Sequence, residues 1–246
     1  MSERTIWAAT DVGHVRRANE DSFAAPGCLV SGRPRAQWQG TISSSEGWAV
    51  IADGMGGHDA GDVASRAVVE TISRIPQMLA TEASIEEVFN QANASIYELI
   101  ASGAGQSGMG STAVGFCVTP DVALGFNIGD SRLYVLRSGE LVQLSVDHTF
   151  DQGAKRSHAL TRSHALTQCI GGVLEPIPLF PHVARWRLKP DDIILLCSDG
   201  LTDMVTDRAI TRALEAGPSH PACHLVDAAL AAGGRDNVTV VVVSRR

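Results

Sequence analysis

The chain has 246 residues, a formal net charge of −7 and 44% hydrophobic residues. This length accommodates one large domain or two small ones, and the apolar content is sufficient for a hydrophobic core. The negative charge, with no Lys or Arg run longer than two residues, excludes a typical nucleic-acid binding surface. An anionic surface also repels phosphorylated substrates, so a site that handles phosphate would need a local source of positive charge, such as metal ions.

Cysteines and apolar segments give no sign of secretion or of a membrane span. The five cysteines are scattered, odd in number and without C-x-x-C spacing, which favours buried free thiols over zinc binding or redox chemistry. The N-terminal MSERTIWAATDVG lacks the regions of a signal peptide, and the longest apolar runs are too short for a membrane span. We therefore expect a cytoplasmic monomer that contacts neither nucleic acid nor membrane.

Seven short apolar segments, rich in Val, Ile, Leu or Ala, have the composition of buried strands. No linker-like composition divides them, so we expect a single domain over residues 1–246. Strands, two long helices, more strands and a second pair of helices before a final strand favour an α+β fold over strict βαβ alternation. The predicted strands are 5–11, 48–52, 111–118, 122–128, 132–137, 192–197 and 237–243.

Four helices are predicted between these strands. In the first, apolar residues recur from Val68 to Leu79 at helical spacing, and Pro76 makes its end uncertain. The second is predicted to begin at Ser84, which forms a capping-box pattern with Glu87. The other two helices are predicted at 207–216 and 221–232.

The segment WAVIADGMGGHDAGDVAS, residues 48–65, joins a predicted strand to a glycine-rich stretch. It lacks the lysine of a P-loop and the glycine spacing of a dinucleotide-binding loop. Asp53 is left at the C-terminal end of the strand, among glycines that allow the backbone close approach to another group. Taken alone, an Asp-Gly pair after a strand is far more often a turn than a site.

Carboxylates recur at the ends of other predicted strands. Asp130 and Asp199 each follow an apolar strand, and Asp236 comes just before the last strand. Glu20 and Asp21 are predicted near the end of the first strand. Carboxylates that converge at one rim repel one another unless cations are present.

Such a set of oxygen donors predicts a metal site. Carboxylates, a backbone carbonyl and waters suit Mn²⁺ or Mg²⁺, and the lack of clustered Cys and His argues against zinc. Two such ions can share a water, lower its pKa and direct it in line at phosphorus. Metal-dependent phosphoester hydrolysis is therefore the leading chemistry.

An ordered set of motifs runs from about residue 8 to residue 243: DVGHVRRANEDSF, VIADGMGGHDAG, GMGSTAV, NIGDSRLYVLRSGELVQLSVDHT, IILLCSDGLTDMV and GGRDNVTVVVV. As a set, these motifs resemble the protein phosphatase 2C family of metal-dependent serine/threonine phosphatases, in its bacterial form. The resemblance implies an α-β-β-α architecture, in which helix pairs flank a sandwich of two antiparallel sheets. It also implies a dimetal cleft at one end of the sandwich and a flap at about 148–172.

The resemblance further implies roles for individual residues. Asp53 would bridge two Mn²⁺ or Mg²⁺ ions, and Gly54 would offer its carbonyl to one of them. Asp199 and Asp236 would complete the ligands of the other ion. The remaining implied roles are Glu20 holding metal-bound waters, Asp21 lying behind the ligands, Arg16 gripping the substrate phosphate, and Asp130 and Asp203 forming a third metal site with Asp199.

Other interpretations stay open for some residues. From the residues alone, a solvated surface arginine is an equally good interpretation of Arg16. The alternative interpretation of Asp203 is a helix N-cap. Ser111 and Thr112 are expected to be strand residues with structural hydroxyls, since no histidine is placed to activate them as nucleophiles.

Two departures from the family pattern stand out. Met55 occupies a position where many eukaryotic relatives have histidine, a candidate general acid, and His58 and His148 are more often structural than catalytic. The flap contains a duplicated RSHALT at 156–167 and ends in SHALTQCIGG, with Gln168 in place of an arginine. Preference among protein substrates is therefore the property least safely transferred from the family.

The expected function is that of a phosphoserine/phosphothreonine protein phosphatase. A metal-bridging water would attack phosphorus in line without a phosphoenzyme intermediate, on phosphoproteins that a bacterial Ser/Thr kinase modifies. A catalytically silent regulatory module would be expected to lack one of Asp53, Asp199 or Asp236, and none is lacking. The third hypothesis is a small-metabolite phosphatase, although no pocket-forming insertion suggests it.

Overall fold

Two antiparallel sheets form the centre of the computed structural model, which describes residues 3–43, 47–56, 60–120, 122–150 and 165–245. Helices lie outside both sheets. The strands are β1 (Glu3–Asp11), β2 (Asp21–Ala25), β3 (Cys28–Ser31), β4 (Arg35–Ser43), β5 (Gly47–Met55), β6 (Gly110–Ser111), β7 (Ala113–Val118), β8 (Ala123–Ile128), β9 (Arg132–Arg137), β10 (Glu140–Gln143), β11 (Ile170–Gly171), β12 (His182–Trp186), β13 (Ile193–Cys197) and β14 (Val238–Ser244). The helices are α1 (Gly61–Arg74), a 3₁₀ helix (Pro76–Ala80), α2 (Glu82–Ala101), α3 (Asp199–Thr202), α4 (Asp207–Glu215) and α5 (Pro221–Ala231).

The strand order explains how distant segments of the chain meet. Within the described ranges, one sheet has the order β10-β9-β13-β14-β1-β4, and the other has the order β11-β6-β5-β7-β8-β12. β2 pairs with β5, and β3 pairs with β2. Two antiparallel sheets combined with a few helices confirm the predicted α+β class.

The last strand shows why a continuous apolar run forms a strand here. Val241 and Val243 pack between the two sheets, whereas Val240 and Val242 pack on the opposite face with Leu225 of α5. Side chains alternate across a strand, so a strand that is buried on both faces needs apolar residues at nearly every position. The layer of α4 and α5 thus covers one sheet of the sandwich.

The helix pair α1 and α2 covers the other sheet. Val68 and Ile72 of α1 belong to the same buried cluster as Phe89 of α2 and Phe126 of β8. The Phe89 and Phe126 rings meet edge to face, with centroids 5.7 Å apart. Such aromatic pairs add about 0.5–1.5 kcal/mol to the free energy gained by burial alone.

The structure defines the end of the first helix, which the sequence left open at Pro76, and shows that the predicted start of the second helix is wrong. The first helix ends at Arg74, and Leu79 is buried in the separate 3₁₀ helix that begins at Pro76. Proline cannot donate the hydrogen bond that would continue α1. The N-cap of α2 is Thr81 rather than Ser84, because the Thr81 hydroxyl accepts the Ser84 N–H at 3.2 Å.

Several strands are absent from the sequence prediction, namely β2, β3, β4, β10, β11 and β12. Exposed and half-buried residues alternate along most of β4, and a strand of this kind needs no apolar run. Its sequence, RAQWQGTIS, accordingly contains none. The omission of β2 makes one placement wrong: Asp21 begins β2, and a loop separates it from the end of β1 at Asp11.

Fewer cysteines are buried than the sequence predicts. All five cysteines are free thiols, although only Cys117 and Cys197 are fully buried. Among the helices of the described ranges, none is both long enough and apolar enough to cross a membrane.

Candidate metal site

A cleft of about 200 Å³ opens where the ends of β5, β8 and β13 meet the beginnings of β2 and β14. Seven of the predicted site residues line it, and Asp21 and Asp203 do not. Asp21 is buried beneath the cleft, and Asp203 ends the short helix α3. The seven residues are Arg16, Glu20, Asp53, Gly54, Asp130, Asp199 and Asp236.

Asp53 and Asp21 lie directly opposite each other on the antiparallel strands β5 and β2. Like charges at opposite positions destabilise a strand pair. Burial raises the pKa of Asp53 well above its usual range, and the charges of Asp21, Asp199, Asp130 and Asp236 raise it further. This strand pair therefore favours a bound proton or cation between its carboxylates.

Asp21 is held by hydroxyl groups from the other sheet. Its Oδ2 atom accepts hydrogen bonds from Ser198 Oγ at 2.8 Å and from Thr239 Oγ1 at 2.7 Å. Its Oδ1 atom is buried and accepts no hydrogen bond from a donor group of the described residues, while the Asp53 carboxyl lies within hydrogen-bonding reach of Asp21. Burial raises the pKa of Asp21 to about 6, although the hydroxyl groups oppose the rise. Asp21 thus joins the two sheets and keeps one acceptor unused beneath the cleft.

Asp199 lies at the start of α3, directly after β13. Burial raises the pKa of Asp199 well above its usual range, and the negative charges of Asp130, Asp236 and Asp203 raise it further. Asp203 therefore acts electrostatically on Asp199 without lining the cleft. Its alternative interpretation as a helix N-cap is wrong, since Thr206 caps α4 by accepting the Ala209 N–H.

Glycines let the backbone of β5 pack closely against α1. A Cβ atom on Gly54 would lie 2.0 Å from the Gly61 carbonyl oxygen and 2.7 Å from that of Glu20. The Gly54 N–H donates to the Glu20 carbonyl at 3.1 Å, and the Gly61 N–H donates to Glu20 Oε1 at 3.2 Å. This packing explains why glycine follows Asp53 and brings Glu20 to the same rim.

Arg16 contacts Asp236 directly. Its Nη2 atom lies 2.6 Å from Asp236 Oδ2, and the hydrogen bond and charge of Asp236 raise the pKa of Arg16. The Arg16 side chain is 51% exposed, so the ion pair adds little to stability. Arg16 is therefore not a purely solvated surface arginine, because it forms an ion pair with Asp236. A phosphate group or a cation would each compete with one partner of the pair.

Asn237 organises the loop that carries Arg16 and Glu20. Its Nδ2 atom donates to the carbonyls of Val12 at 2.9 Å and Ala18 at 3.0 Å, and its Oδ1 accepts the Glu20 N–H at 2.8 Å. Asn237 is not among the site residues predicted from the sequence. The only sequence feature that could have pointed to Asn237 is its position next to Asp236. Its hydrogen-bond partners lie more than 200 residues away in the sequence, so no local pattern predicts these contacts.

Replacing Asn237 with alanine is expected to weaken both activity and stability. The loss of hydrogen bonds should lower the free energy of unfolding by about 2–3 kcal/mol, at about 1 kcal/mol for each bond. Misplacing the loop should lower kcat/KM for phosphoester hydrolysis by about 10²-fold. Urea unfolding and steady-state kinetics measure the two effects.

Asn93→Ala is the matched control, because Asn93 is also buried and accepts the Gly171 N–H at 2.8 Å, and neither residue lines the cleft. It should lose stability with a much smaller loss of activity. Equal losses of activity in both variants would contradict the role of Asn237.

Two predictions about hydroxyl groups and histidine agree with the structure. Ser111 Oγ donates to the Asp53 carbonyl at 3.0 Å, and Thr112 Oγ1 accepts the Asp53 N–H at 3.1 Å, so both hydroxyls are structural. His148 Nδ1 accepts the Gly129 N–H at 3.1 Å, and burial lowers the pKa of this histidine. His58 and the part of the flap at 151–164 lie outside the described residues.

The donors of the cleft fit divalent metal ions in their chemistry. They are carboxylate and carbonyl oxygens, which Mn²⁺ and Mg²⁺ prefer, and the unused Oδ1 of Asp21 marks uncompensated negative charge beneath them. In the described part of the chain, no three Asp, Glu, His or Cys side chains already have the spacing of a finished ligand set. One reason is that Asp236 is turned toward Arg16. The cleft therefore matches divalent metal ions in the type of its donor atoms and in their convergence, without a preformed coordination geometry among the described residues.

Comparison with known proteins gives a consistent result. A family model described as protein phosphatase 2C matches residues 29–233. The serine/threonine protein phosphatase PstP of Mycobacterium tuberculosis is 33% identical over 246 residues, covering 96% of this chain. This chain spans only 44% of the length of that relative.

Solved structures match along nearly the whole chain. PppA, described as a key regulatory component of T6SS in Pseudomonas aeruginosa, has a TM-score of 0.77 and 31% identity, covering 100% of this chain and 99% of its own. The catalytic domain of PstP in complex with two manganese ions has the same TM-score and identity, with 98% of each chain covered.

Proposed function

The chain belongs to the protein phosphatase 2C family, and we propose that it is a metal-dependent phosphoserine/phosphothreonine protein phosphatase. The main support is that Asp53, Asp199 and Asp236 line one cleft, in a chain that matches the family over most of its length. A silent module on the same scaffold has less support, because no predicted ligand is replaced.

We propose that Asp53 bridges two Mn²⁺ or Mg²⁺ ions, with Gly54 as a carbonyl ligand and with Asp199 and Asp236 completing the second ligand set. When bound, the ions lower the pKa of a water and neutralise charge on the phosphoryl oxygens. The complex of the PstP catalytic domain with two manganese ions supports this assignment. A third ion at Asp130, Asp199 and Asp203 is part of the same proposal.

The protein's own residues would position the phosphate and manage protons. Arg16 is long, exposed and charged at the rim, and its guanidinium group suits bidentate binding of phosphate oxygens. Glu20, which is bonded to the Gly61 N–H, would hold waters at the same rim. Met55 lines the cleft but its thioether donates no proton, so the leaving alkoxide must take its proton from another donor.

The remaining parts of the proposal concern the setting. We propose that residues 1–246 act as one cytoplasmic domain, as a monomer, on phosphoproteins that a Ser/Thr kinase modifies. The names of the relatives, serine/threonine protein phosphatases, support the substrate class.

The function is tested by measuring hydrolysis of an aryl phosphate and of a phosphothreonine peptide with Mn²⁺, with EDTA and in the Asp236→Ala variant. We expect turnover of both substrates only with metal, and a loss of about 10³-fold in the variant, because a ligand of the activating ion is removed. Asp227→Ala is the matched control, since Asp227 lies on α5 in an exposed ion pair with Arg35.

The possible negative results of these hydrolysis assays distinguish between the alternative functions. Turnover that persists in EDTA would contradict the metal mechanism. Binding of Mn²⁺ without turnover of either substrate would favour the silent module. Turnover of the aryl phosphate without turnover of the peptide would favour the small-metabolite phosphatase.

A further inference from the structure

Gln168 pairs with the backbone of Phe180 through both ends of its side-chain amide. The Oε1 atom accepts the Phe180 N–H at 2.9 Å, and Nε2 donates to the Phe180 carbonyl at 3.3 Å. One side chain thus engages the donor and the acceptor of one backbone residue, as a neighbouring strand would. Leu179, the residue before Phe180, is buried in the core, so this attachment point is firmly held.

The chain just before Gln168 forms a short two-stranded ribbon, which is the base of the flap. The Thr167 N–H donates to the His148 carbonyl at 2.8 Å, and Thr149 forms a β-bridge with Leu166. His148 is in turn fixed to Gly129, because its N–H donates to the Gly129 carbonyl at 2.9 Å and its Nδ1 accepts the Gly129 N–H at 3.1 Å. The flap base is therefore attached beside Asp130 on one side and through Gln168 on the other.

Leu166 is the residue of this ribbon that lines the cleft. Together with Met55 it supplies large apolar side chains to a rim that is otherwise dominated by carboxylates. Gln168 follows Leu166 by two positions and does not line the cleft, so it acts at a distance from a bound phosphate. Its pairing with Phe180 restricts where Leu166 stands relative to the carboxylates.

We propose that Gln168 is a positioning residue, which holds the flap base so that Leu166 contacts the peptide around the phosphorylated side chain. This inference rests on the proposed phosphatase function. A small aryl phosphate reaches the carboxylates without extending along the flap base, whereas a peptide passes over it. Loss of the Gln168 pairing should therefore weaken peptide recognition and spare the chemical step.

The Gln168→Ala variant tests this assignment with a ten-residue phosphothreonine peptide and an aryl phosphate, both with Mn²⁺. We expect KM for the peptide to rise about five- to tenfold, the scale of one or two net hydrogen bonds. We expect kcat for the peptide and kcat/KM for the aryl phosphate to change by less than about twofold. Gln168→Glu keeps the acceptor for the Phe180 N–H and loses the donor, so its KM should be intermediate.

A second measurement reports on the pairing itself. Amide hydrogen exchange at Phe180 should be faster in Gln168→Ala, because the N–H loses its acceptor. The control is Gln91→Ala, which removes an exposed glutamine of α2 that donates to Glu87 at 3.2 Å. That variant should change neither the exchange at Phe180 nor KM for the peptide.

The outcomes separate the inference from the function. Equal losses on peptide and aryl phosphate, or an unchanged peptide KM in a variant whose Phe180 exchange is faster, would overturn the positioning role. Unchanged exchange at Phe180 would overturn the pairing on which it depends. If the unmodified protein hydrolyses neither substrate with Mn²⁺, the proposed function fails, and the exchange measurement still tests the pairing.

Discussion

Replacing Asp53 with asparagine is expected to abolish phosphatase activity while making the metal-free protein more stable. Asp53 is the proposed ligand of both ions, so its loss should reduce kcat/KM by about 10³-fold or more, corresponding to about 4 kcal/mol of transition-state stabilisation. Phosphoester hydrolysis with saturating Mn²⁺ measures this effect. The stability effect has a separate cause.

In the metal-free protein, Asp53 faces Asp21 across β5 and β2, with Asp21 buried and Asp53 half-buried at the floor of the cleft. Asparagine removes one of the two charges, and its amide can donate to the unused Oδ1 of Asp21. Relieving a repulsion between two like charges that shifts a pKa by one or two units raises the free energy of unfolding by about 1–3 kcal/mol. At about 2–4 °C per kcal/mol for a chain of this size, Tm in EDTA at pH 8 should rise by several degrees.

The matched control is Asp21→Asn, which removes the other charge of the same pair. The asparagine weakens the acceptor that Ser198 and Thr239 use, so the gain in Tm should be smaller than for Asp53→Asn. A metal-free Tm that falls in Asp53→Asn would show that the pair is not a source of repulsion. Activity within tenfold of the unmodified protein would remove Asp53 from the metal site.

The convergence of Asp53, Asp199 and Asp236 could be predicted because each adjoins an apolar strand of clear composition. The β5 and β13 segments are buried on both faces, so their sequences identify them without knowledge of their neighbours. The same reasoning failed for β4, an edge strand whose half-buried residues alternate with exposed ones. Edge strands need few apolar residues and leave a weak pattern in the sequence.

Contacts that depend on register or on distant segments could not be predicted. The pairing of Asp21 with Asp53 requires β2, a strand that was not predicted, so that Asp21 was expected near the end of β1 instead. The Arg16 contact with Asp236 crosses 220 residues of sequence. Thr81 and Ser84 are both plausible helix caps by local pattern, and only the backbone conformation decides between them.

The stability of the metal-free protein is expected to fall between about pH 4 and pH 7, and Mn²⁺ is expected to reverse this fall. Burial raises the pKa of Asp21 to about 6, against an ordinary value of 3.8. The folded protein therefore binds this proton more tightly than the unfolded chain. The resulting stabilisation is fully present below about pH 4 and is lost as pH rises through about 6.

The size of the effect follows from the pKa difference. About two pKa units correspond to about 3 kcal/mol for Asp21 alone, and the raised pKa values of Asp53 and Asp199 act in the same direction. Asp192 acts in the opposite direction, because the ion pair with Arg137 lowers its pKa and this stabilisation is lost only as pH falls. His148, His182 and His220 also oppose the effect, because burial lowers their pKa values and the folded protein binds these protons less tightly than the unfolded chain. Only about half of the Asp21 contribution remains at pH 5, so in EDTA the Tm should decrease by a few degrees from pH 5 to pH 8.

Manganese ions require the ionised carboxylates, so protons compete with them at low pH. At a concentration 100 times its Kd, one bound ion adds about 2.7 kcal/mol to the stability of the folded state. The rise in Tm on adding Mn²⁺ should thus be large at pH 8 and small at pH 5, as measured by thermal unfolding over this pH range. The Asp53→Asn variant should show a flatter Tm profile in EDTA and little response to Mn²⁺. An equal rise at both pH values in the unmodified protein would mean that Mn²⁺ binds outside the buried carboxylates.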